Sequence, residues 1–412
     1  MLQQLSKLLS GSALGQLIAF LFIPLLTHLY EPEVFGEYQV AFSVALFIAI
    51  LLSWKLEIPI PTLDESKIPA HIKNVASLVS INSIVLLIAL YLITTHTSLL
   101  PEALNNSSLL LFTLVMAMLM AFNNLARFYL IEKQKFGTIS MTLFCQSGGR
   151  SVLQWLLQAM SNLGLLIGDV LARVTMLAMS VLVMRKEPQQ NKDGTNLKQT
   201  LSKHWRYPVW VMPSTLLNSS MAIMLLPLIA YKFGAVEAGI VAVAYRLITA
   251  PNSVIGAALS DVLFARFSKL AKAQQLKQLK LEFVKISMGL AGISVAGFSI
   301  IYFLSDYLGL VVAAEYVLAS EYMIALIPWF AAQFMVTPLS RIVFIFNKQL
   351  VKLIIDVLIF ANLVALVWFT QEQPVVQFLS DISMNMALIY GAYLAVLYFI
   401  LFNQKAEVSS AP

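Results

Sequence analysis

SALGQLIAFLFIPLLTHLYEPEVFGEYQVA, residues 12–41, holds an uncharged apolar run, an acidic Glu31-Pro32-Glu33 turn, and the start of a second apolar run. The first run matches the ~20 residues an α-helix needs to cross a bilayer core. Lys7 precedes it, which imitates a secretory leader. The run is too long for that, however, and Glu31-Pro32-Glu33 stands where a small-residue cleavage site would fall. The same design continues along the chain. Apolar stretches near 10–30, 37–58, 74–96, 108–131, 138–158, 163–184, 208–230, 237–259, 284–304, 318–342, 352–370 and 384–403 predict twelve spanning helices. Charge alternates in the gaps. Lys67, Lys133, Arg185, Lys198, Lys203, Arg266, Lys277 and Lys348 mark one set of gaps, which together hold 20 of the 27 Lys and Arg. Glu31, Glu33, Glu102, Glu237, Asp306, Glu315 and Glu372 mark the other set, where Lys232 is the one basic residue. Cytoplasmic loops carry the Lys/Arg excess, so both termini are expected on the cytoplasmic side.

The opening stretch also has a counterpart. TLLNSSMAIMLLPLIAYKFGAVEAGIVAVA, residues 215–244, aligns with 12–41 at a constant offset of 203. Pro24-Leu25 then meets Pro227-Leu228, Gly36 meets Gly239, and Val40-Ala41 meets Val243-Ala244. ARFYLIEKQ (126–134) resembles SRIVFIFNKQ (340–349), with Arg127 opposite Arg341. Two copies that both start in the cytoplasm make a parallel repeat about an axis along the membrane normal. The expected organisation is an N-lobe over 1–184 with helices 1–6, a polar cytoplasmic linker over 185–206, and a C-lobe over 207–412 with helices 7–12. Pro24 and Pro227, paired by the repeat and each inside a helix, are candidate hinges, because proline removes one helical hydrogen bond.

Hydrophobic residues make up 59% of the chain and charged residues 12%, against about 25% charged in soluble domains. The net charge of +6 is spread over cytoplasmic gaps, which reads as orientation and contact with lipid headgroups, with no nucleic-acid partner. The single Cys145 excludes a disulfide within the chain. His28, His71, His96 and His204 lack metal-ligand spacing, and no phosphate-cradling glycine loop occurs. No metal or cofactor is expected.

Charge inside the spans carries the functional signal, since an ionisable group at mid-bilayer costs at least ~2.5–3.5 kcal/mol. Lys55, Arg127 and Arg341 lie near cytoplasmic helix ends and can snorkel, while Asp356 can pair with Lys352. Arg150, Arg173 and Arg246 lie roughly 13–18 Å from a helix end, at ~1.5 Å per residue. Asp169, four residues before Arg173, can neutralise it; Arg150 and Arg246 have no such neighbour in sequence. Two readings stay open. The arginines form inter-helix ion pairs with Asp169 or Asp261, or Arg150, Arg246, Arg173 and Asp169 line a central cationic cavity for a phosphate-bearing headgroup, which a guanidinium binds bidentately. Gln146, Arg150, Gln154 and Gln158 form a polar stripe every four residues. With Asn218, Gln146 and Gln154 are candidates for a polar lumen suited to sugar hydroxyls, or else for helix–helix hydrogen bonding.

Several stretches resemble the bacterial oligosaccharide flippases (Wzx-like O-antigen and polysaccharide exporters), whose superfamily also holds MATE drug antiporters and the lipid II flippase. They are GSALGQLIAFLFIPLLTHLYEPEVFGEYQVAFSV (11–44) with its Tyr-x-Pro-x-x-Phe-Gly turn, WKLEIPIP (54–61), YPVWVMPSTLLNSS (207–220) and YRLITAPNSVIGAALSDVLFARFSKL (245–270). The resemblance implies an all-α fold of the MATE type in the bacterial inner membrane. It further implies export of an undecaprenyl-diphosphate-linked oligosaccharide by alternating access, driven by an ion gradient of H+ or Na+, by the membrane potential, or by a downstream polymerase. Membrane lipids, a polysaccharide polymerase and a chain-length regulator would be the partners. A MATE-like cation antiporter would need acidic residues in the lumen. A membrane glycosyltransferase or polymerase would need carboxylates or arginines in periplasmic loops, and those gaps are short and hold no arginine.

Overall fold

The computed structural model describes residues 2–96, 107–186, 195–252, 256–346, 348–369 and 373–403. Glu102 and Glu372 of the charge pattern lie outside these residues. All regular structure among them is helical. The helices pack into two units, 1–242 and 243–412.

The first unit contains α1 (Leu2–Thr27), α2 (Pro32–Ser53), α3 (Ile68–His96), α4 (Ser107–Glu132) and α5 (Phe136–Phe144). A π-helical turn over Cys145–Gly149 leads into α6 (Arg150–Leu156), followed by α7 (Gly164–Lys186), α8 (Leu197–Lys203), α9 (Met212–Phe233) and the first half of α10 (Ala235–Pro251). Pro32 opens α2 at a position where its missing N–H is not needed. Trp54 and Lys55 end it in the left-handed region, at φ 50° and 58°. The WKLEIPIP turn folds inward behind them. Leu56 and Glu57 are buried, Lys55 faces Glu57 at 3.6 Å, and His71 Nε2 lies 2.8 Å from the Leu56 carbonyl. Part of the expected linker is an ordered helix. Asn196 and Gln199 cap α8 reciprocally, and Asn74 of α3 donates to Thr195 O and Thr200 Oγ1, both at 2.9 Å.

Packing in this unit reaches past the linker. α9 lies against α2, and the repeat-related glycines meet. A Cβ on Gly36 would sit 1.9 Å from the Ala235 carbonyl oxygen, and one on Gly239 would sit 1.8 Å from the Pro32 carbonyl oxygen. Pro32 and Ala235 are themselves 203 apart, so the contact is reciprocal between the two copies of the repeat. The two compact units meet in sequence between Ala242 and Val243, within α10.

The second unit holds the rest of α10, then α11 (Ala257–Lys272), α12 (Leu276–Ser305), α13 (Ala319–Val336), α14 (Ile342–Ile345), α15 (Gln349–Phe369) and α16 (Val375–Phe402). α13 packs against both α16 and α12.

Among the described residues, eight helices are long and apolar enough to span: those over Pro32–Ser53, Glu65–Ala89, Ser108–Glu132, Gly164–Lys186, Leu276–Ser305, Ala314–Val336, Leu350–Trp368 and Val375–Phe402. The four other predicted stretches are also helical among the described residues. α1 runs unbroken through 10–27 and α9 through 212–230, and their apolar segments include Ala13–Thr27 and Ile223–Phe233. A π-turn splits 138–158, and α10 ends at Pro251 within 237–259. Large apolar side chains stand exposed on the spans, Phe303 at 70% and Leu388 at 66%. An aqueous surface does not tolerate that coverage, and the chain is a multi-pass membrane protein.

Candidate functional site

The first unit collects its deep charge on one carboxylate. Asp169 and Arg173, a turn apart on α7, are buried. Arg173 donates from Nε to Asp169 Oδ2 at 2.9 Å and from Nη2 to Oδ1 at 3.3 Å. Arg150 comes from the other side, with Nη1 3.7 Å from Asp169 Oδ1. α6 and α7 pack together, so a partner invisible at helical spacing becomes a neighbour. Arg150 is thus an inter-helix ion-pair member as well as a deep cation. Both guanidinium carbons lie 5.5 Å from the Phe42 ring centroid, within cation–π range. Two cations and one anion leave the cluster at +1. Arg150 Nε is buried with no hydrogen-bond partner among the described residues, so the cluster keeps a spare donor.

The π-turn decides which stripe residues join this cluster. It places an extra residue in the helix just before Arg150. Gln146 lines a cavity of about 80 Å³ with Asn123, Asn124, Arg127, Thr142 and Arg173. Asn123 ties α4 to α7 by donating to the Arg173 carbonyl at 3.1 Å. Gln154 does something else. It is fully enclosed, its Nε2 donates to the Leu165 carbonyl at 3.0 Å, and its backbone carbonyl accepts from Tyr30 Oη at 2.7 Å. It holds α6 to α7 and to the end of α1. Pro24 and Pro227 sit inside α1 and α9 as expected, and the Pro24 carbonyl accepts from Thr27 Oγ1 at 2.7 Å. The side chains of Asn218 and Asp261 lie outside the described residues.

In the second unit, Arg246 is half-buried on α10. A cavity of about 430 Å³ in this unit is lined by Tyr245, Asn252, Phe330, Gln333 and Arg341, among others. Arg341, set aside in sequence as a snorkelling end, faces both this cavity and the Phe264 ring, 5.9 Å away. Phe42 and Phe330 carried no signal in sequence, because an aromatic in an apolar span looks like its neighbours. Asn252 and Gln333 could be found as polar residues inside spans.

Residues 1–271 match the family of polysaccharide biosynthesis proteins. The chain belongs to this family. No curated protein matches it in sequence. Its fold is shared by solved membrane transporters. The lipid II flippase MurJ in an inward closed conformation is 13% identical, with TM-score 0.71 over 95% of this chain and 89% of that one. An inward-facing multidrug resistance MATE family transporter of the MOP superfamily is 12% identical, with TM-score 0.66 over 98% and 96%. A MOP superfamily transporter from Pyrococcus furiosus, described by the reverse polarity of its binding pocket, is 13% identical, with TM-score 0.54 over 97% and 94%. At these identities the likeness is one of fold.

Proposed function

We propose that this polysaccharide biosynthesis family member is a flippase. It carries an undecaprenyl-diphosphate-linked oligosaccharide from the cytoplasmic to the periplasmic leaflet of the bacterial inner membrane, for O-antigen, capsule or exopolysaccharide synthesis. Twelve spans with cytoplasmic termini and alternating access complete the proposal, as does an H+ or Na+ gradient as driving force, with a polymerase and chain-length regulator downstream. The observation that carries it is the +1 cluster of Arg150, Arg173 and Asp169 within the helical core of a membrane protein. An excess guanidinium there is unfavourable until an anion reaches it, and a diphosphate matches its fork. Family membership and a fold shared with a lipid II flippase support the same reading. An antiporter of cationic drugs would favour the opposite excess.

Arg150 is the removable charge, because Arg173 and Asp169 remain paired without it. Arg150→Ala is expected to abolish surface polysaccharide in complementation of a flippase-deficient strain while staying at wild-type level on a blot. Arg150→Lys should restore export in part, keeping charge but losing the planar fork. Losing one charge-assisted contact of about 1.5–3 kcal/mol corresponds to roughly ten- to hundredfold in affinity. Full export by a well-expressed Arg150→Ala protein would overturn the anion site.

A further inference from the structure

We propose that the second-unit cavity is a carbohydrate subsite, seating a sugar ring of the lipid-linked glycan, while the first unit reads the diphosphate. This deepens the flippase reading and rests on it. The cavity, about 430 Å³, falls in the ~300–1,000 Å³ range of small-molecule sites. Its walls combine aromatic and uncharged polar side chains, with Arg341 as the cation in the lining. Tyr245 of α10 meets Phe330 of α13 edge-on at 5.5 Å, and Trp329 stacks on Phe330 at 4.6 Å. Aromatic faces are negative, and the C–H faces of a pyranose are apolar and weakly positive, so the two stack. Thr249, Asn252, Ser260 and Gln333 supply hydroxyls and amides around this corner.

The amides form a relay with an open end. Gln333 Nε2 donates to Tyr390 Oη at 3.2 Å, and Asn252 Nδ2 donates to Gln333 Oε1 at 3.2 Å. Asn252 Oδ1 is then buried with no hydrogen-bond partner among the described residues. A buried acceptor of this kind calls for a donor, and a sugar hydroxyl or N-acetyl N–H entering the cavity supplies one. The described lining holds no carboxylate, which disfavours a cationic ligand.

The repeat makes the division of labour visible. At the offset of 203, Tyr245 corresponds to Phe42, and Thr249 to Leu46, which lines the first unit's cavity. Phe42 is flanked by two guanidinium groups and Tyr245 by two aromatic rings. On this proposal, two positions paired by the sequence offset carry an anion's chemistry in one copy and a sugar's in the other.

The test uses the full chain in lipid nanodiscs and two soluble probes. One is the oligosaccharide released by mild acid from the lipid-linked pool of the source cells; the other is inorganic pyrophosphate. Equilibrium binding of each is measured for wild type, Asn252→Ala, the isosteric Thr249→Val, Tyr245→Leu and Arg150→Ala. We expect Asn252→Ala and Tyr245→Leu to weaken the oligosaccharide at least tenfold and Thr249→Val a few-fold. Each should change pyrophosphate affinity less than twofold, which also reports that the protein is folded. Arg150→Ala should do the reverse. If wild type binds the oligosaccharide and all three second-unit variants bind it equally well, the subsite is overturned and the flippase reading stands. If wild type binds neither probe, both fall.

Discussion

Asp169 faces two guanidinium groups, and that count sets what each substitution does. Removing Arg150 leaves a bidentate pair on α7 and should cost the fold about 1 kcal/mol, the usual scale for a single change. Removing the carboxylate leaves two buried cations together. Breaking a buried ion pair by deleting one partner costs about 3–5 kcal/mol. Asp169→Asn is therefore expected to lower the unfolding midpoint in detergent several times more than Arg150→Ala does. Equal midpoints for the two variants would show that Asp169 is not the structural centre of the cluster. Gln154 can also be tested at this scale. Gln154→Leu removes the second hydrogen bond to the Leu165 carbonyl, at a cost of about 0.5–1.5 kcal/mol, and should leave probe binding intact.

Between elements, α2 and α10 approach closely. The backbones meet at Gly36 and Gly239 with no room for a methyl group, since the added Cβ would fall under 2 Å from a carbonyl oxygen on either side. A rigid carbonyl cannot turn aside as a flexible side chain would. Gly36→Ala and Gly239→Ala should each destabilise by about 1–3 kcal/mol or more, the scale of overpacking, read by thermal unfolding in detergent. Ala at Gly137, where a Cβ meets nothing within 4 Å, should leave the midpoint near wild type.

The docking of α8 on α3 is expected to depend on pH. Burial, then His71 and Lys203, hold the His204 imidazole below its ordinary range, and Lys67 lines the same small cavity. The unfolded or undocked segment binds the proton more readily, so this contribution is fully present above the ordinary value of about 6.5 and is lost as pH falls below it. Protection against hydrogen exchange over residues 195–204, taken relative to the intrinsic rate at each pH, should fall as pH drops from 7.5 to 5.5, and the fall should shrink in His204→Gln. A pH-independent protection factor in the wild-type protein would refute the coupling.

For the whole molecule, the proposed topology has a direct reading. Reporter fusions at residue 100 and residue 195 should fall on opposite sides of the membrane, and a fusion at Gly234 should fall on the same side as residue 100. The same side for residues 100 and 195 would break the twelve-span arrangement. Eight unbroken helices meet the length and apolarity of a span among the described residues. A π-turn interrupts the stretch over 138–158, and a hydropathy profile has no means of marking such a break.

Periodic properties were legible in the chain. Apolar length decides that helices cross a bilayer, because each side chain's transfer cost adds along the segment whatever its neighbours. The offset of 203 is legible as a pattern in the sequence, and Gly36 and Gly239, which it pairs, meet in the structure. Arg150, Arg173 and Asp169 stand out as expensive residues by type alone. What each of them touches belongs to the tertiary structure. Arg150 and Asp169 are 19 residues apart on different helices, so only the packing of α6 on α7, with the register set by the π-turn, brings them to 3.7 Å. Phe42, Tyr245 and Phe330 were hidden because aromatic rings in apolar spans are ordinary until the fold puts a guanidinium or a cavity beside them. Partnership is a property of distance, and distances between helices do not exist until the chain has packed.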